Sequence, residues 1–177
     1  MSKTPPLLPV EVLRRVLRVA SWGGTLVLAI AGFLAVLSAA AGDYLGAAIG
    51  IVIAGAGVFE LHGASLLRAG HARGVNWLVG SQLYLLLCVL GYCTLRLTRM
   101  TLPTVPDELA SAIDLNAQQF GMSTREYLTM VYRGAFQLVA LLTLFYQGGM
   151  ALYYQRRRAA VEAALVDGPP PVPDGET

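Results

Sequence analysis

The stretch "LGAAIGIVIAGAGVFELHGASLL", Leu45–Leu67, decides how the rest of the chain is read. Apart from Glu60, His62 and Ser65, it contains only apolar side chains and glycine. As a helix it would extend about 34 Å at 1.5 Å per residue, enough to cross a hydrocarbon layer of about 30 Å. Gly46, Gly50, Ala54 and Gly57 recur at spacings of four and three, which places them on one helical face. Small residues in such a row let another helix approach closely. Glu60 follows Gly57 by three and precedes Ala64 by four, so it shares that face and is expected to point at a neighbouring helix.

Three further runs have similar character: Val19–Ala41, Val75–Leu95 and Gly134–Tyr154. The chain of 177 residues is 55% hydrophobic and 14% charged, against roughly 25% charged for a soluble domain. The expected fold is therefore an all-α integral membrane protein, a bundle of four transmembrane helices spanning 19–41, 45–67, 75–95 and 134–154. The division expected is a cytoplasmic amphipathic segment over 1–18, a membrane domain over 19–158 and a cytoplasmic end over 159–177. In the first of these, Val12, Leu13, Val16 and Leu17 share one side, and the segment is expected to continue helix one onto the membrane surface. "LSAAAG" resembles a signal-peptide cleavage site, but the apolar run before it is too long and begins too late. Asp43 with its neighbours and "RAGHARG", Arg68–Gly74, leave only tight turns between the first three spans.

Basic residues give direction. Lys3, Arg14, Arg15, Arg18, Arg68, Arg73, Arg156, Arg157 and Arg158 fall on one side, nine of the 13 in the chain. The other four, Arg96, Arg99, Arg125 and Arg133, fall opposite. By the positive-inside rule both termini are cytoplasmic, as in a multi-pass protein of a bacterial-type inner membrane. Trp22, Trp77, Tyr153 and Tyr154, with the Arg156–Arg158 triplet, are read as anchors at the inner interface, and Tyr44, Tyr92 and Tyr132 lie near the outer one.

The external loop, 96–133, carries a short amphipathic helix before a long fourth helix. Thr104 is the expected cap, Pro106 and Asp107 open the first turn, and Gly121 stops it. Leu109, Ala112, Ile113 and Phe120 form its apolar face. "STREY" then reads as a capping box, Ser123 with Glu126. With no proline before Pro169, the fourth helix is expected to run from about Thr124 to about Leu165, roughly 63 Å at 1.5 Å per residue. The tail "DGPPPVPDGET" has the composition of a disordered segment.

Counted from the inner boundary, Glu60, Gln82 and Gln147 each lie about seven residues deep, roughly 10 Å inside. Ser81 and Thr143 fall close to this level, and His62 between it and the cytoplasm. These six residues form the expected intramembrane polar layer, with Gly46, Gly50, Ala54 and Gly57 as the helix-packing positions. The layer has two readings. One is structural, with Glu60 hydrogen-bonded to Gln82 and Gln147; the other makes Glu60 a proton or cation site with His62 as a relay. His62 points about 200° away from Glu60 on a helix, so the two do not make one local metal site.

No HExxH, P-loop, GxSxG or dinucleotide fingerprint occurs, and no basic surface interleaved with aromatics suits nucleic acid. Cys88 and Cys93, about 8 Å apart on one helix, cannot pair with each other. The expectation is thus a non-enzymatic membrane subunit or scaffold with no catalytic residue, cofactor or metal. Its partners would be the lipid bilayer and a second copy or another membrane subunit. The alternative is a small proton- or cation-coupled transporter or channel using Glu60.

Overall fold

A computed structural model describes residues 8–99 and 105–166. Lys3, the expected cap Thr104 and the proline-rich tail lie outside the described residues. Among the described residues the chain is all-helical: α1 (Pro9–Ala40), α2 (Tyr44–Arg68), α3 (Gly74–Thr98), α4 (Asp107–Gln119) and α5 (Thr124–Val166). Helices α1, α2, α3 and α5 are long and apolar enough to cross a membrane. They contain the four predicted spans to within a residue at each end.

Three helix ends use one device. Gly42, Gly70 and Gly121 adopt φ of 77°, 81° and 65°, a region that side-chain-bearing residues rarely enter. In each case the next amide folds back on the helix: Asp43 to the Ser38 carbonyl, His71 to that of Leu66 and Met122 to that of Ala117. The Asp43 carboxylate then caps α2 by accepting from the Gly46 amide at 2.9 Å. These local bonds make the α1–α2 and α2–α3 turns tight.

The chain forms two compact units, one of the described residues up to Leu86 together with those from Gln147 onward, the other of Leu87–Tyr146. In the first, α1 and α2 pack backbone to backbone. A Cβ on Gly57 would stand 2.6 Å from the Gly24 carbonyl oxygen, and one on Gly50 would stand 2.8 Å from the Ala35 Cβ. Gly63 and Gly74 do the same for α2 and α3, where a Cβ on Gly74 would lie 2.5 Å from the Gly63 carbonyl oxygen. The core joins Val12, Val16 and Ala20 of α1, Ala64 and Leu67 of α2, Val75 and Leu78 of α3, and Tyr154 and Val161 of α5.

The segment before the first span continues helix one, and its apolar side enters that core, where Val12 and Val16 are buried with Val161. The buried row Val12, Val16, Ala20, Gly24, Ala31, Ala35 continues without a break along α1, so its first turns pack as the rest does. Large apolar side chains also remain outside that core: Phe33, Ile51 and Leu152 are more than half exposed.

In the second unit α5 begins with the expected capping box. The Ser123 amide and hydroxyl donate to the Glu126 carboxylate at 2.9 and 2.7 Å, and the Glu126 amide returns to the Ser123 hydroxyl at 3.3 Å. The Thr124 hydroxyl donates to Asp114 of α4 at 2.6 Å, and the rings of Phe120 and Tyr127 stack at 5.9 Å. The start of α4 differs from expectation, since Pro106 holds the capping position. Of its apolar positions Leu109, Ala112 and Phe120 are exposed and Ile113 is half-buried, while Ala117 is buried. With 43 residues α5 is about 64 Å long at 1.5 Å per residue.

Candidate functional site

Glu60 is 4% exposed in the first unit, on the face of α2 that carries Gly57 and Ala64. Three elements converge on its carboxyl group. The Tyr154 hydroxyl of α5 donates to Glu60 Oε1 at 2.8 Å. Gln82 of α3 is buried beside it. Gly23 of α1 supplies the remaining wall, where a Cβ would stand 3.3 and 3.4 Å from the two carboxylate oxygens. The missing side chain at Gly23 is thus what makes room for the acid.

Below this contact, Ser81 is buried and donates to the Leu78 carbonyl at 2.8 Å, and the Gln82 amide reaches the Ser81 hydroxyl at 3.5 Å. Gln147 is buried as well, and its Oε1 has no hydrogen-bond partner among the described residues. Of the expected layer, the structure therefore brings Glu60, Gln82 and Ser81 together and buries Gln147. It does not join His62 to them. His62 is exposed and sets its ring edge-on to Trp77 at 4.9 Å, on the other side of α2. Thr143 is half-buried in the second unit.

The expected anchors divide. Trp22 is 68% exposed and Trp77 is 42% exposed. Tyr153 is half-buried, with the Arg157 guanidinium 5.9 Å above its ring. Arg156 is exposed, whereas Arg158 is engaged: it pairs with Glu162 at 2.8 Å and donates to Asn76 of α3 at 3.2 Å. Tyr154 corrects the sequence reading. Its position next to the arginines suggested a rim aromatic, but its ring lies in the core and its hydroxyl is the principal partner of Glu60. The signal was present, because Tyr154 follows Gln147 by seven residues and Ala151 by three, which places all three on one buried face.

The packing positions also divide. Gly50 and Gly57 meet α1, and Ala54 is buried. Gly46 has its nearest neighbour in the Asp43 cap, whose carboxylate would stand 2.2 Å from a Cβ there. The Tyr84 hydroxyl, not anticipated from sequence, donates to the Val52 carbonyl at 3.0 Å and ties α3 to α2.

Chemically, the Glu60 site is a buried carboxyl group with a hydroxyl partner and an amide beside it. Among the described residues no cation forms an ion pair with it. The arrangement can orient three helices around one acid, and it can hold a proton on that acid. No group of three histidine, cysteine or acidic residues is placed to hold a metal among the described residues. Comparison with protein families, curated proteins and solved structures yields no match.

Proposed function

We propose that the chain is a non-enzymatic, multi-pass integral membrane subunit, with both termini cytoplasmic, whose bundle is fixed by glycine-mediated contacts and by the Glu60–Tyr154 clasp. The observation that carries this reading is the 2.8 Å bond from Tyr154 to Glu60, closed by Gln82 and by the wall at Gly23. A carboxyl group so enclosed links α1, α2, α3 and α5 at one point. A hydrocarbon surrounding is supported by the large apolar side chains left facing outward, among them Phe33, Ile51 and Leu152, while glycine and alanine lie where α1 and α2 meet. The inward placement of both termini is supported by the nine-to-four division of basic residues.

A second reading, proton- or cation-coupled transport through Glu60, is favoured by one observation. Glu60 has no ion-pair partner among the described residues, so a mobile cation or proton could serve as one. Proteoliposomes separate the two. A structural clasp predicts no proton or cation flux above empty vesicles, whether Glu60 is present or replaced by Gln. Flux that appears with the wild-type chain and disappears in Glu60→Gln would overturn the structural reading. Crosslinking in native membranes tests the subunit role, which expects a product larger than the monomer.

A further inference from the structure

The face of α5 opposite the clasp has a different chemistry. Gly149, Leu152, Tyr153, Arg156 and Arg157 are spaced at i, i+3, i+4, i+7 and i+8, one side of the helix, and together line an open concavity of about 530 Å³. Its floor is apolar and bare, since a Cβ on Gly149 would meet nothing within 4 Å and Leu152 is 58% exposed. Its upper rim is cationic. Arg158 is committed to Glu162 and Asn76, whereas Arg156 and Arg157 form no ion pair among the described residues. Arg157 lies over the Tyr153 ring, which restricts the guanidinium to this side.

We propose that this face binds one anionic phospholipid, its phosphate between Arg156 and Arg157 and its first acyl carbons in the notch over Gly149. The order of the groups carries the assignment: apolar notch, aromatic ring, then paired guanidinium forks along one helix side. That order matches a lipid with chain below and phosphate above, and guanidinium is the side chain whose planar fork fits phosphate oxygens. The arginines close the apolar stretch of α5, the level at which headgroups stand. A soluble phosphate would use the rim and leave the notch unfilled. The assignment rests on the membrane reading above.

Native mass spectrometry of the full chain, released from vesicles of phosphatidylcholine with phosphatidylglycerol, tests it. The wild type is expected to retain one phosphatidylglycerol in preference to phosphatidylcholine. Arg156→Gln with Arg157→Gln should lower that retention about tenfold or more, as two basic groups at an anionic surface imply. Arg14→Gln with Arg15→Gln removes the same charge elsewhere and should leave it unchanged. Gly149→Leu fills the notch and should reduce retention while every charge remains, which keeps the test intact should the arginine pair prove necessary for folding. Equal loss in the two double variants, no effect of Gly149→Leu, equal retention of both lipids, or displacement by glycerol phosphate would each overturn the proposal. Carbonate extraction of the same membranes separates this from failure of the membrane reading, because a chain that washes off is not integral.

Discussion

Helix α2 and the part of α5 from Gln147 onward belong to one unit, yet they are held in it by different means. Along α2 the hold is steric and distributed: Gly50 and Gly57 bring its backbone against α1, and Gly63 brings it against Gly74 of α3. Along α5 the hold is carried by longer side chains at a few points. Tyr154 reaches Glu60, Arg158 reaches Asn76, and Val161 enters the core. The first kind of contact fails when an atom is added, and the second when one is removed. Measured sensitivities of the two helices should therefore have opposite signatures.

The largest expected effect is Gly57→Leu. Its Cβ alone would stand 2.6 Å from the Gly24 carbonyl and 2.8 Å from the Leu28 amide, both backbone atoms that cannot turn aside. Overpacking typically costs about 1–3 kcal/mol, and contact with backbone places this substitution at the upper end. The expected result is a large shift of the unfolding midpoint in mixed micelles of rising SDS content, or failure to accumulate in membranes. A Gly57→Leu chain as stable as wild type would break the steric half of the comparison.

Next is the clasp. Tyr154→Phe keeps the ring in the core and deletes only the hydroxyl that Glu60 accepts from, for an expected loss of about 1 kcal/mol. Combined in a double-mutant cycle with Glu60→Met, which removes the acceptor oxygens at similar length, the coupling should fall between about 0.6 and 1.7 kcal/mol, the mean and upper range for hydrogen bonds between membrane helices. Zero coupling would show that the 2.8 Å contact does not hold α5.

How much of this could be read in the sequence follows the range of the forces involved. The spans, the stop at Gly121 and the Ser123–Glu126 capping box depend on neighbours within a few residues, so spacing alone reveals them. Glu60 could be assigned to the packed side of α2 because Gly57 and Ala64 lie on the same face. The identity of its partner could not be read that way. Gln82 and Tyr154 reach it from helices whose rotation no local pattern fixes, and Tyr154 sits among residues that equally suit an interface. Depth counting selected Gln147, which is buried but has its Oε1 unpartnered among the described residues.

An effect of similar size, about 1 kcal/mol, is expected for Ser123→Ala, which removes the hydroxyl of the capping box where α5 begins. It should be local. Amide exchange should quicken at Glu126 and Tyr127, whose N–H groups bond to Ser123, and stay unchanged around Tyr154. Global loosening of α5 would show that its start and its clasp are not independent holds.

The smallest effect has the opposite sign. Gly148 lies in the interior of α5, and a Cβ there would meet nothing within 4 Å. Alanine should fit without contact and relieve the entropic cost of helical glycine, for a gain of about 0.5–1 kcal/mol. On α2 the same single methyl at Gly57 would meet backbone, so Gly57→Ala should lose stability where Gly148→Ala gains it. The pair isolates the comparison to one carbon atom on each helix. A loss at Gly148 would require something outside the described residues to approach the glycine closely. If it were accompanied by disappearance of the crosslinked product expected of a subunit, that neighbour would be a second copy or another membrane subunit. A gain, with crosslinking unchanged, would leave this side of α5 to lipid.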